Sequence, residues 1–214
     1  SSESSMWNSV NKTYSAAAGN IAAPFLSNHD NGKGRIAGRV ARDEDKIKFA
    51  YGLLSMFSGN TFTYYGDEIG MTAVRTSSDP DLRIGMLWDD VANVTTPPPG
   101  ASANPEYLFG SVKDQSEDAN SILNYYKLCN NARNAFPALM RGAPQRIAYD
   151  DSEVVIMKKT YNNTSVTVVI NTAVTDKEVG GIEGTLAQSI CIKGSISSKG
   201  SLLKMPARSI AILT

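Results

Sequence analysis

Pro24-Phe25-Leu26-Ser27-Asn28-His29-Asp30 is the stretch on which the reading of this chain turns. Small and strand-forming residues run directly into three polar ones. The polar cluster holds the only histidine among 214 residues, set against a carboxylate. An apolar strand that delivers polar side chains at its C-terminal end is how a parallel α/β barrel presents its chemistry. Asn, Asp and Gly are also ordinary turn residues, so the same letters describe a strand followed by a polar turn. The sequence on either side separates the two readings.

Downstream, Asn31-Gly32-Lys33-Gly34 reads as a turn, followed by a loop carrying Arg35, Arg39 and Arg42. Asp43 is placed as a helix N-cap, with Glu44 and Asp45 in the first turn where the helix dipole favours them. Ile47, Ala50, Leu54 and Phe57 recur on one helical face, and Gly59 stops the helix. Thr61-Phe62-Thr63-Tyr64-Tyr65 is β-branched and aromatic, hence a strand, with the two tyrosines expected on opposite sides. It ends in Gly66-Asp67-Glu68, again placing acidic residues past a strand's end. Adjacent residues point in different directions, so Asp67 and Glu68 read as polar anchors of the loop, not as an acid/base pair. Strand, helix and strand follow with a connection long enough for a right-handed parallel crossover.

The flanks differ in character. Residues 1–20 are polar and loosely helical, with Met6, Trp7 and Val10 as anchors. Residues 71–120 form a long irregular excursion containing Pro97-Pro98-Pro99-Gly100, a length usually reserved for functional or disordered loops. Trp88 within it reads either as a ring that stacks on a ligand or as a buried anchor. A helix resumes near Ser121, with Ile122, Tyr125, Cys129, Ala132 and Phe136 on one face, and Pro137 marks its end. After Gly142 the pattern becomes antiparallel β. Runs at 154–161 and 165–172 are joined by the hairpin signal Asn162-Asn163-Thr164, and short strands are expected at 186–193, 202–205 and 209–213.

Composition narrows the partners. Twenty-one basic and twenty-one acidic residues cancel. No basic run stands out, which argues against a sequence-independent grip on nucleic acid or an anionic membrane. No apolar run approaches the roughly 18 residues of a membrane helix. Cys129 and Cys191 read as small buried apolar residues and not as a disulfide, and without a Cys/His cluster zinc is not expected. The cellular address stays open.

The order of these pieces resembles the C-terminal part of an α-amylase-type enzyme, glycoside hydrolase family 13. Phe25-Leu26-Ser27-Asn28-His29-Asp30 resembles the family signature at the end of barrel strand seven. Asn60-Thr61-Phe62-Thr63-Tyr64-Tyr65-Gly66-Asp67-Glu68-Ile69-Gly70-Met71 resembles the eighth strand and the loop leaving it. Asp81-Leu82-Arg83-Ile84-Gly85-Met86-Leu87-Trp88-Asp89 is similar to the family's Arg-x-Pro-Met-x-Trp segment, with Gly85 where proline is common. One departure is the Asn31-Gly32-Lys33-Gly34 insertion, which delays Arg35 relative to the usual spacing.

The resemblance implies a fold of α/β plus all-β class. Residues 1–142 would be about two βα units of a (β/α)8 barrel, and residues 143–214 a β-sandwich domain C. It implies a retaining glycoside hydrolase acting on an α-glucan or oligosaccharide. Such hydrolysis needs a nucleophilic carboxylate and a carboxylic acid about 5 Å apart. In the family these stand on strands four and five, upstream of this chain, so the chain alone is expected to be inactive. What remains is a transition-state-stabilising carboxylate, Asp30, with Asn28, His29 and Arg35 as substrate-binding residues. A transferase or isomerase of the same family, or an inactive barrel relative serving as a binding subunit, are the alternatives. No metal site is expected in this chain, with calcium confined to the rest of the parent enzyme. A full barrel needs eight strands and roughly 250 residues. Two strands without their neighbours should expose an apolar edge at Phe25, Phe62 and one of the tyrosines. Self-association, or association with the rest of the barrel, is then expected.

Overall fold

The computed structural model describes residues 21–30, 35–72, 78–90, 92–101 and 107–214. They fall into two compact units: one of Phe25–Leu54 and Phe62–Asn130, the other of Ser55–Thr61 and Asn131–Thr214 with the residues up to Pro24. The helical reading of residues 1–20 and the turn at 31–34 lie outside the described residues.

In the first unit the two expected strands narrow to a single parallel bridge between Phe25 and Phe62. The direction of pairing is as read from the sequence; the length is not. A parallel strand in a barrel is bonded on both sides, and no described strand flanks this pair, so the ladder does not propagate. Between the bridge residues run a single helical turn, α1 (Ile36–Arg39), and the crossover helix α2 (Glu44–Ser55). Asp43 Oδ1 accepts the Lys46 N–H at 3.0 Å, which satisfies one of the free amides of the α2 N-terminus. Ile47 and Leu54 are buried along one α2 face, as their spacing predicts. Tyr51 of α2 stacks on Tyr126, ring centroids 3.5 Å apart.

The excursion after residue 71 carries more structure than its composition suggests. It contains α3 (Asp79–Leu82), an antiparallel bridge between Leu87 and Val94, and α4 (Val112–Glu117). Ser111 and Asp114 form a reciprocal capping box at the start of α4. Ile69, Met71, Ile84 and Met86 make a small core with Tyr107, Val112 and Leu123 packed against it. The buried Gln115 side chain ties this core together, donating to Ile69 O and accepting from Leu123 N. Next comes α5 (Ile122–Ala135); Pro137 then opens a further short helix, α6 (Pro137–Arg141), its ring tolerated at the first helical position.

The second unit holds two antiparallel sheets. The five-stranded sheet has the order β1 (Ala143–Ile147), β2 (Val154–Tyr161), β3 (Thr164–Asn171), β8 (Ser209–Leu213), β5 (Leu186–Cys191). The three-stranded sheet runs β4 (Lys177–Val179), β7 (Leu202–Met205), β6 (Ser197–Lys199). Tyr161 pairs with Thr164, so Asn162 and Asn163 form a two-residue turn, with Asn162 at φ 49°. That left-handed conformation is one Asn tolerates better than most residues. Val154, Ile156, Val169, Ala211 and Leu213 of the larger sheet meet Val179, Leu203 and Met205 of the smaller in one apolar layer. Each large apolar side chain buried there contributes about 1.5–3 kcal/mol. The opposite face of β2 is buried too, beneath α6, and there Lys159 is fully enclosed. Its ammonium donates to Met56 O at 2.7 Å and Leu139 O at 2.6 Å. Arg133, also buried, donates to the carbonyls of Ser55, Phe57 and Gly59. Cys129 and Cys191 are not joined in a disulfide. No helix among the described residues is long and apolar enough to cross a membrane.

Candidate active-site edge

Immediately after the Phe25–Phe62 bridge the chain leaves extended structure, and Asn28, His29 and Asp30 turn out together. Asn28 Oδ1 accepts the Asp30 N–H at 3.1 Å, an Asx turn that fixes the direction of the Asp30 side chain. The Asp30 carboxylate is two-thirds exposed (67%) and His29 60% exposed, with His29 Nε2 3.2 Å from Asp30 Oδ2. On the other oxygen stands Arg83, Nη2 at 3.7 Å from Asp30 Oδ1 and 3.1 Å from Asp79 Oδ2. A carboxylate standing between a histidine and an arginine, open to solvent, is built to accept hydrogen bonds from neutral hydroxyls.

Behind this turn lies a buried polar layer. Arg35 is 1% exposed, with its guanidinium carbon 4.4 Å from the Tyr64 ring centroid and 4.5 Å from that of Tyr65. It donates through Nη1 to Tyr65 O and lies 3.7 Å from Asp67 Oδ1. Its Nε and Nη2 have no hydrogen-bond partner among the described residues. Asp67 is buried as well, and desolvation pushes its carboxyl up to about 7, against the lowering effect of a Ser27 hydrogen bond and of Arg35. Ser27 in turn accepts the Ile36 N–H at 2.8 Å. The chain Arg35–Asp67–Ser27 thus runs beneath the Asn28–Asp30 turn, and Asp67 anchors the loop as its position past a strand suggested.

Of the four residues singled out by sequence, Asn28, His29 and Asp30 share one exposed edge, and Arg35 stands behind it out of solvent. Two side-chain expectations fail. Tyr64 and Tyr65 do not diverge across a strand: the backbone enters a turn at Tyr65, and both rings flank Arg35 with centroids 4.8 Å apart. Trp88 is no buried anchor, being 48% exposed. Arg83 is the neighbour that sequence reasoning overlooked. Its signal was its place two residues before Gly85 in the Arg-x-Gly-Met-x-Trp segment. Among the described residues no three His, Cys, Asp or Glu side chains come together as metal ligands.

A parallel strand pair joined by a helix, with a polar edge at its C-terminal end and an antiparallel sandwich following in sequence, defines the C-terminal part of a (β/α)8-barrel protein. Residues 3–142 match the α-amylase family model described as "Alpha amylase, catalytic domain", and the chain belongs to that family. It is similar to the α-amylase SusG of Bacteroides thetaiotaomicron, 32% identical over 134 residues, a match covering 62% of this chain and 19% of that protein. It is also similar to an oligo-1,6-glucosidase of Halalkalibacterium halodurans, 28% identical over 187 residues, covering 69% and 33%. Among solved structures Eubacterium rectale Amy13B superposes with a TM-score of 0.81 at 27% identity, over 96% of this chain and 42% of that one. The chain therefore spans between a fifth and a third of the length of these curated relatives.

Proposed function

We propose that this chain is the C-terminal part of a retaining, α-glucan-acting glycoside hydrolase whose nucleophile and general acid lie outside it. The observation that carries the reading is the exposed Asp30 carboxylate, poised between His29 and Arg83 at the end of a parallel strand pair in an α-amylase-family chain. Asp30 accepts hydroxyls of the sugar being cleaved, and these bonds tighten as positive charge develops on the ring. Bonds that strengthen only in the transition state lower the barrier, whereas equal binding of ground and transition states does not. His29 donates to a further hydroxyl of the same sugar, and Asn28 holds the turn. Arg35, sealed from solvent, supports this edge from behind and does not touch the sugar. In this reading the barrel portion ends at residue 142 and domain C occupies 143–214, and any calcium is held by the remainder of the enzyme.

The test is Asp30→Asn in the complete enzyme, assayed on maltooligosaccharides. Turnover is expected to fall by well over tenfold; a loss below about tenfold, about 1.4 kcal/mol, is too small for a transition-state role. The 214-residue chain by itself should hydrolyse nothing, and hydrolysis by it would overturn the placement of the other carboxylates. Product analysis on maltose and sucrose separates hydrolysis from glucosyl transfer or isomerisation.

A further inference from the structure

The hairpin that follows Arg83 holds an exposed tryptophan, Trp88, in a fixed orientation. Trp88 N–H donates to Asn93 O and Thr95 N–H to Met86 O, closing a small antiparallel turn around the Leu87–Val94 bridge. Trp88 projects from it half exposed, yet its ring is not free to swing. The indole Nε1–H donates to Thr95 Oγ1 at 2.9 Å, and Lys113 N–H holds the Trp88 carbonyl at 3.0 Å. An exposed aromatic ring locked by its own polar edge has already lost the rotamer freedom that ligand binding would otherwise cost. Beside it the Asp89 and Asp90 side chains are exposed acceptors. Asp89 is paired with Lys113 at 3.1 Å, and Asp90 Oδ1 caps the turn through Ala92 N–H.

Gly85 explains why the hairpin can sit where it does. A Cβ at this position would collide with the Thr95 carbonyl and press on Val94. The glycine therefore admits the strand that carries the indole's clamp. The backbone on either side is pinned, since the Tyr65 hydroxyl donates to Ile84 O at 2.9 Å and the Tyr107 hydroxyl to Gly85 O at 2.6 Å. One short segment thus links the arginine beside Asp30 to the clamped tryptophan.

We propose that Trp88 is a stacking platform for a glucose ring of an α-glucan, oriented by Thr95 through the close approach that Gly85 permits, with Asp89 and Asp90 accepting hydroxyls at its rim. This rests on the α-glucan reading of the chain and adds to it a binding position outside the Asp30 edge. Apolar ring faces of sugars lie on aromatic planes while carboxylates take their hydroxyls, the usual division of labour in a ligand site.

The chain has two tryptophans, so Trp7→Phe leaves Trp88 as the sole indole emitter. Titration of that variant with maltoheptaose should give a saturable change in emission, and cellohexaose should give none. By calorimetry Trp88→Ala should weaken maltoheptaose binding about three- to tenfold. Thr95→Val, which removes only the clamp, and Gly85→Ala, which displaces the hairpin, should weaken it with the indole still present. Thr95→Val keeps the test valid if Gly85→Ala fails to fold. Emission that ignores maltoheptaose, or unchanged affinity in both Trp88→Ala and Thr95→Val, overturns the platform. If that happens while Asp30→Asn still abolishes turnover in the complete enzyme, the platform alone is wrong. If Asp30→Asn is also silent, the α-glucan reading falls with it.

Discussion

Lys159 is the residue whose surroundings run furthest against its chemistry. Burial, reinforced by the Arg133 charge, drives its ammonium down to about 7 from the ordinary 10.5, even though two carbonyls accept from it. Above about pH 10.5 the amine is neutral folded or unfolded, and below about 7 it is charged in both states. Between those limits the unfolded chain holds a proton that the folded one lacks, so stability climbs with pH. The full span is on the order of 5 kcal/mol. Chemical denaturation followed through the sandwich unit should show this rise between pH 7 and 10, and Lys159→Met should flatten it. An unchanged slope in the variant would locate the titrating group elsewhere. At the same scale, the site was partly readable in advance. Asn28, His29 and Asp30 are adjacent in sequence and stay adjacent in space. Arg83 reaches Asp30 across a long excursion, and Arg35 is hidden because two tyrosines close on its guanidinium; neither follows from local spacing.

The elements divide by what creates them. β2, β7 and β8 carry enough apolar or β-branched residues to be seen alone, and their limits match the sequence reading. β1 was missed because Ala143–Ile147 is mostly exposed and contains Pro144; it exists through pairing with β2 at the sheet edge, where proline is tolerated. The three-residue strands β4 and β6 flank β7 in the same way. The Phe25 and Phe62 strands show the converse, since strong β character without bonded neighbours yields only one bridge. Side-chain carpentry matters where strands are this short. Buried Asn171, at the end of β3, donates to Thr175 O at 2.9 Å and Pro206 O at 2.8 Å and accepts the Ala173 N–H at 2.9 Å. Asn171→Ala should cost about 1–3 kcal/mol through the orphaned groups, whereas Asn163→Ala at the exposed hairpin tip should cost far less. Equal losses in thermal melts would argue against this role for Asn171.

For the molecule as a whole, the exposed rings of Phe25 (53%) and Phe62 (59%) flank backbone with no further strand bonded to it among the described residues. Open edges of this kind recruit another strand. Sedimentation equilibrium of the 214-residue chain should give an average mass that rises with concentration, and Phe62→Ser should reduce the effect. A monomer at every concentration would remove the edge as an association surface. The α-amylase family assignment covers residues 3–142, while the sandwich that follows was legible from its strand-like runs and the Asn162-Asn163-Thr164 hairpin signal.

The enclosure of Lys159 also gives the sandwich unit a clock. Amine-directed acylating reagents reach lysines on the surface at once, but they meet this one only when β2 parts from α6. Once uncovered it leaves the burial that lowered its pKa, regains the protonation of an ordinary lysine and reacts only as fast as a surface lysine does. The rate at which its peptide gains mass, compared with that of a surface lysine, is then set by the fraction of time the unit is open, so an ordinary labelling reagent reports native-state fluctuations of the sandwich without any engineered probe.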